Sequence, residues 1–336
     1  MNKILVLPGD GIGPSIIGSA VEVIGAVADD IELVHGEIGF SAYEASGQHL
    51  PFETLDLAGE CGTTLCGPVR TVKENNGAYR NPLETLKAQL DLYAMVRRFT
   101  TFSPDIGREG MDITLWASNN QPGQDIVETR DIDGITLTKY IRSSSYSRMM
   151  ARALTDMEMC GGTKVKCITR EDIFPESSAL FEESFTSLFE ADGLETQCTN
   201  VPTWASRIVR DPLEDEYIIC ADLYSHVAAG ILAGLAGGNH LYPVGFAGDS
   251  NFLLVPGSIH LFEDVQKEYV NPTSAIFAGA MALSNLNRRG AATSIINALK
   301  ETYVAGDRTP DMGGTLTTDE FTRRVIGRLD QSFITS

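Results

Sequence analysis

The stretch Lys3–Val27, KILVLPGDGIGPSIIGSAVEVIGAV, holds a strand, a turn and a helix in 25 consecutive positions. Lys3 to Leu7 is a short apolar run of the kind that becomes a buried strand. Gly9, Gly11 and Gly13 then punctuate a turn, and Pro14 suits the first turn of a helix. Ile16, Ile17, Ala20, Val21, Ile24 and Val27 follow with helical period. A strand feeding a helix through a glycine turn is the opening unit of a layered α/β fold. The turn is not a dinucleotide fingerprint, because Pro14 stands where GxGxxG needs its last glycine.

Outward from this unit the alternation continues. IELVH is a strand, and PLETLKAQLDLYAMV is a helix running into a strand. A loop is expected from Phe99 to Met111, then two alternating strands in DITLWAS and GITLTKYI. SRMMARALTDMEM, SSALFEESFTSLFEA, SAIFAGAMALSNL and GAATSIINALKETYV read as helices, and KVKCIT as a strand. EYIIC leads into the turn CADLYSHVAAG (Cys220–Gly230), with Asp222 a candidate cap before a small-residue helix. No repeat or low-complexity tract marks a linker.

Composition narrows the function classes. The chain has 336 residues, enough for two domains with a full core. Asp and Glu number 45 against 26 Lys and Arg, a net charge of −19, which argues against nucleic acids and anionic membranes as partners. The apolar run Val227–Gly238 is too short to span a bilayer, and no secretory leader pattern opens the chain, so the expected location is cytoplasmic. The six cysteines form no CxxC pair and read as reduced core residues. The five histidines show no metal-ligand spacing.

Four stretches in this order, PGDGIGP (8–14), LDLYAMVR (90–97), NPTSAI (271–276) and RTPDMGGTLTTDEFTRRVI (308–326), resemble the isocitrate/isopropylmalate dehydrogenase family. These are the metal-dependent β-decarboxylating dehydrogenases. The resemblance implies an α/β fold of two domains, isopropylmalate-dehydrogenase-like, with αβα layers, a mixed sheet and a clasp arm. The larger, dinucleotide-side domain would be 1–98 with 245–336, and the middle domain, with dimer interface and arm, 99–244. It also implies a hydroxy diacid held by arginines, Mg²⁺ or Mn²⁺ held by three aspartates, a Lys and a Tyr that move protons, and NAD(P) as hydride acceptor.

Carried over position by position, the family's machinery is depleted. Its substrate arginines fall on Lys87 and Arg97. Its neighbouring Ser and Asn fall on Asn81 and Leu83. The third arginine falls on Asn119, or in a rival register on Arg130. The proton-shuttling Tyr then falls near Asp125 or Ile126, or on Thr136. The catalytic Lys becomes Arg170, whose guanidinium stays protonated. Two of the metal aspartates become His226 and Gly230, and the one that the partner subunit supplies becomes Pro202, so no Mg²⁺ or Mn²⁺ is expected, since hard cations need carboxylate oxygens. On the nucleotide side Ile12, Lys267, Asn271 and Asp311 are carried over as cofactor-binding positions. Glu263, or Asp264 with a one-residue shift, could meet a ribose, which leaves NAD possible.

Two functional readings follow. In the first, the chain has lost metal-dependent oxidative decarboxylation and is a pseudoenzyme, a regulatory or assembly subunit, or a binder of a small anionic metabolite or dinucleotide. Lys87, Arg97, Arg170, Asn81 and Asn119 are then the anion-binding candidates, set against the plainer reading in which the cations are solvated or paired with Glu171 and Asp172. In the second, it is an NAD-dependent oxidoreductase acting on a 2-hydroxy acid through an altered site. Either would form a homodimer, with the arm at 134–142 in the interface, or a hetero-oligomer with related subunits.

Overall fold

The computed structural model describes residues 2–70, 81–119, 126–190, 193–257, 267–330 and 332, apart from the side chains of Asp222 and Lys267. The chain divides into two compact units. The first comprises Met1–Leu92, Thr101–Glu109 and Ala236–Ser336; the second comprises Tyr93–Thr100 and Gly110–Leu235.

The first unit begins with β1 (Asn2–Leu7), α1 (Gly13–Val27), β2 (Ile31–His35), α2 (Phe40–Ser46), α3 (Phe52–Cys61), β3 (Thr63–Cys66) and α4 (Pro82–Gln89). The second unit holds β4 (Ala94–Thr100), β5 (Asp112–Ser118), β6 (Ile126–Arg130), β7 (Ile135–Lys139), α5 (Ser143–Cys160), β8 (Lys164–Thr169), α6 (Pro175–Phe189), β9 (Glu195–Asn200), α7 (Val201–Arg210), β10 (Tyr217–Cys220) and α8 (Asp222–Ala236). The chain then returns to the first unit with β11 (Val244–Ala247), β12 (Phe252–Val255), α9 (Thr273–Asn285), α10 (Arg289–Val304) and α11 (Thr318–Ile326).

The strands of the first unit run in the order β2-β1-β3-β12-β11. All pairs are parallel except β11 with β12. β3 is buried along its whole length and β1 from Ile4 onward, as strands covered on both faces must be. The opening turn is held tightly. Gly9 has φ +71°, and a Cβ there would lie 2.5 Å from the Pro68 carbonyl oxygen. Only glycine accepts both conditions without strain. Asp10 is buried and accepts from the backbone N–H groups of Phe40 (2.8 Å), Ser41 (3.1 Å) and Arg70 (2.8 Å). It ties the turn to the start of α2. The aromatic centre of this unit is Phe102, Tyr242, Phe277 and Tyr303, with ring centroids 5.5–5.8 Å from Phe102. Burial of each such side chain contributes about 1.5–3 kcal/mol.

In the second unit the order is β4-β5-β10-β8-β9, with β4 antiparallel to β5 and the rest parallel. α6 buries Phe181, Phe185 and Phe189 at fourfold spacing, and Phe181 meets Tyr146 of α5 edge to face at 4.6 Å. α7 buries Trp204 and Ile208 by the same spacing. β6 and β7 pair as a separate antiparallel hairpin.

Several sequence-based expectations need correcting. β4 extends through Thr100 into the expected loop, because Phe99 and Thr100 pair with Ile113 and Asp112. Neither expected alternating strand alternates. β5 lies between β4 and β10 and is buried from Ile113 to Ser118, whereas β7 is exposed from Ile135 to Thr138. α8 starts at Asp222, four residues before His226. Cys66, Cys167 and Cys220 are buried, but Cys160 and Cys198 are exposed, one closing α5 and the other on edge strand β9. Among the described residues no helix is long and apolar enough to cross a membrane.

Candidate functional site

The parallel strands of the second unit end together. Ala117 pairs with Cys220, Cys220 with Ile168, and Thr169 with Asn200. The residues that follow therefore share one carboxyl edge, where open α/β sheets place ligands. Asn119 follows β5, Arg170 follows β8, and Pro202 and the start of α8 follow β9 and β10. Four separate sequence segments that carry candidate positions are thus gathered by strand register alone.

What those side chains do is mostly local. Arg170 donates to both carboxylate oxygens of Asp172, at 2.8 and 3.1 Å, and that bidentate pairing raises its pKa. Of the two neighbouring acids considered as partners, Asp172 is the one it engages. Asn119 donates its backbone N–H to the Tyr93 carbonyl at 2.8 Å. Arg130 ends β6 and is exposed, and Thr136 lies exposed on β7. Ile126 opens β6, while Asp125 is outside the described residues.

Arg97 is different. It lies within β4, is 6% exposed, and sits 5.0 Å from the centre of the Phe99 ring. Burial pushes its guanidinium down to about 10, which still leaves it charged at neutral pH. It supplies a desolvated positive charge.

In the first unit, Lys87 occupies the last turn of α4, where a cation complements the helix dipole. Its ammonium lies 2.6 Å from Glu84 and 4.4 Å from the Phe246 ring centre. Asn81 caps the same helix, accepting from the Leu83 N–H at 2.9 Å. Leu83, half-buried, packs against the first unit's core.

The residues carried over to the family's metal positions do not fit a hard divalent cation. Pro202 is exposed in the first turn of α7 and offers no side-chain donor. His226 and Gly230 lie four apart on α8, both exposed. One imidazole is not an oxygen cage. Among the described residues, no three His, Cys, Asp or Glu side chains gather as a metal site.

On the nucleotide side the fold brings two carried-over residues together. Asn271 Nδ2 donates to Asp311 at 3.0 Å and to the Tyr303 hydroxyl at 3.1 Å, across 40 and 32 positions of sequence. Its Oδ1 accepts from the Thr273 N–H at 3.0 Å. Asp311 also accepts from Thr309 at 2.5 Å, and His240 lies 3.3 Å away. Burial opposes ionisation of Asp311, but the bonds from His240, Thr309 and Asn271 outweigh it and hold its pKa below the ordinary carboxylate value. Tyr303 is pushed up to about 12 by burial. Ile12 is buried at the start of α1, with its carbonyl accepting from the N–H groups of Ser15 and Ile16. Glu263 and Asp264 lie outside the described residues, as does the side chain of Lys267. Sequence reasoning missed His240, Thr309 and Tyr303. Thr309 stands two residues before Asp311, the one local signal available. The other two reach the cluster only through tertiary packing.

Comparison with known proteins is consistent along the whole chain. The isocitrate/isopropylmalate dehydrogenase family model matches residues 3–325. The isocitrate/homoisocitrate dehydrogenase of Thermus thermophilus is 28% identical over 97% of this chain and 98% of its own. The 3-isopropylmalate dehydrogenase of Methanothermobacter thermautotrophicus is 26% identical, over 98% of each. A Dictyostelium discoideum protein named as a regulatory subunit of mitochondrial NAD isocitrate dehydrogenase is 27% identical over 98% of this chain and 91% of its own. The crystal structure of the Methylococcus capsulatus isocitrate dehydrogenase superposes with a TM-score of 0.85 at 26% identity, covering 98% of this chain and 99% of that one. The apo β-decarboxylating dehydrogenase of Thermococcus kodakarensis gives 0.88 at 25%, covering 98% and 96%. The chain belongs to the isocitrate/isopropylmalate dehydrogenase family.

Proposed function

We propose that this family member binds a small anionic metabolite or a dinucleotide and does not carry out metal-assisted oxidative decarboxylation. It would serve as a pseudoenzyme or as a regulatory or assembly subunit. The observation that carries the reading is the donor set at Pro202, His226 and Gly230. Oxidation of a 2-hydroxy acid followed by loss of CO₂ needs a cation to polarise the hydroxyl and then to stabilise the enolate. Two of these three side chains have no donor atom, and the third, an imidazole, offers a cation one lone-pair nitrogen at a time. Arg170, at the position of the family's Lys, keeps its proton and is engaged by Asp172. Arg97 supports the anion reading, because a buried guanidinium is a strong partner for a carboxylate or phosphate. Lys87, Arg170, Asn81 and Asn119 are the further candidates for anion contact. That one relative is named a regulatory subunit is in keeping with a non-catalytic role.

A second reading is favoured by the Asn271–Asp311 pair and by relatives whose names carry NAD. In it the chain is an NAD-dependent oxidoreductase of a 2-hydroxy acid. Hydride transfer without decarboxylation leaves no enolate to stabilise. We place the protein in the cytoplasm, as a homodimer or a hetero-oligomer with related subunits. The β6–β7 hairpin supports assembly, since Ile132, Ile135, Leu137 and Tyr140 are all more than half exposed on it or beside it.

The test is NAD turnover against isocitrate, 3-isopropylmalate and other 2-hydroxy acids, with and without Mn²⁺, alongside calorimetric titration of Mg²⁺ and Mn²⁺. No turnover and no stoichiometric metal binding is the expected result. Metal-independent oxidation selects the second reading. Manganese-dependent release of CO₂, or micromolar stoichiometric Mg²⁺ binding, overturns the first.

A further inference from the structure

Cys167 on β8 and Cys198 on β9 stand directly opposite each other in the parallel ladder. As register partners on adjacent strands, their side chains leave the same face of the sheet. Cys167 is buried, whereas Cys198 is exposed on the edge strand. We propose that Cys167 and Cys198 form an oxidisable thiol pair, a modification site at which peroxide closes a disulfide across the β8–β9 ladder.

Neighbouring strands lie about 4.8 Å apart, within the roughly 4.4–6.8 Å range of Cα separations that a disulfide spans. The asymmetry of the pair assigns the roles. Exposed Cys198 meets the oxidant, and sheltered Cys167 resolves the product. The neighbouring Cys167 thiol lowers the Cys198 pKa from its ordinary value, while burial first of all raises that of Cys167. A thiolate is the form that peroxide oxidises. The Cys198 thiolate attacks hydrogen peroxide, the O–O bond breaks, and sulfenic acid and hydroxide result. Cys167 sulfur then attacks the Cys198 sulfur, the S–O bond breaks, and the thiol proton leaves with the hydroxyl as water. Two thiols are oxidised by two electrons and one peroxide is reduced.

The other cysteines lack this arrangement. Cys66 and Cys220 are buried and direct their thiols to the carbonyls of Gly67 and Ala221. Cys61 is half-buried in the other unit, and Cys160 is exposed at the end of α5. Closure would fasten the edge strand near its carboxyl end, two rungs before the Thr169–Asn200 pair.

The experiment treats fully reduced protein with stoichiometric hydrogen peroxide, blocks remaining thiols with N-ethylmaleimide, and maps peptides by mass spectrometry without reduction. A linked Cys167–Cys198 peptide, two hydrogens lighter than its parts, is expected, and dithiothreitol should restore both free thiols. Cys198→Ser should abolish the link, and Cys160→Ser should leave it. Cys167→Ser should leave a sulfenic acid on Cys198 that dimedone labels. Should that buried variant fail to fold, the wild-type map and Cys198→Ser decide. A Cys198 that remains alkylatable at its reduced-state level, or that links to a different cysteine, overturns the proposal.

Discussion

Removing the carboxylate of Asp215 should cost the second unit about 3–5 kcal/mol, the scale for breaking a buried ion pair from one side. The Asp215 side chain is fully buried. One oxygen lies 2.6 Å from the Lys166 ammonium and 2.7 Å from the Arg207 guanidinium; the other lies 2.7 Å from the same guanidinium and 3.1 Å from the Trp204 indole nitrogen. In Asp215→Ala these donors lose their acceptor unequally. Arg207 keeps Glu214 at 2.8 Å, so its loss is modest. Lys166, with its side chain 10% exposed, loses the carboxylate while remaining largely out of water. The indole N–H of Trp204 adds about 1–3 kcal/mol as an unsatisfied buried donor. Replacing both ends, Asp215→Leu with Lys166→Met, removes the stranded ammonium and should recover the part of the loss that Lys166 carries, because apolar replacements of buried pairs are often close to neutral. Urea unfolding followed by tryptophan fluorescence reads the effect, with an unchanged denaturant slope as the control that the unfolded state is comparable. A single-variant cost below about 1 kcal/mol, or a double variant less stable than Asp215→Ala, would refute the reasoning.

Citrate or sulfate should raise the melting temperature in the presence of EDTA, and Arg97→Ala should weaken that binding by about 1.5–3 kcal/mol; equal thermal shifts for both proteins would remove Arg97 from the proposed anion site. Leu137→Asp, on the exposed face of the hairpin, should shift the light-scattering mass from dimer to monomer, and a wild-type monomer at micromolar concentration would count against the assembly. The folded pKa of Asp311 lies below its unfolded value of about 3.9, so its stabilising contribution is full above that value and fades as pH falls through the lower, native one. Asp311→Asn should therefore lower stability near neutrality and flatten the acid limb of the stability profile below about pH 4; an acid limb identical to wild type would show that the His240–Asp311–Asn271 cluster carries no such linkage.

The candidate site was only partly legible in the sequence. The positions carried over for the metal carboxylates rest on local motif spacing alone. The partners of the charges that remain could not be read from it. Asn81 turned out to cap a helix, and Arg170 engages an acid two residues away, both local outcomes compatible with the sequence but not selected by it. Asn271 and Asp311 were each picked out by motif, yet His240 and Tyr303 join them only because the chain folds back across long separations.

The sequence by itself determined the strand–turn–helix opening, the periodic helices and the α/β class. Those depend on backbone preference and apolar spacing within a few residues, and Gly9 and Pro14 act wherever the rest of the chain lies. Tertiary structure alone decided which strands neighbour which. That choice buried β5 on both faces and left β7 exposed, although the two read alike as strings. It also set Cys167 opposite Cys198 and aligned Asn119, Arg170 and Pro202 along one edge. The physical reason is that strand register is fixed by burial and hydrogen bonding summed over partners far apart in the chain, and no local window contains those partners.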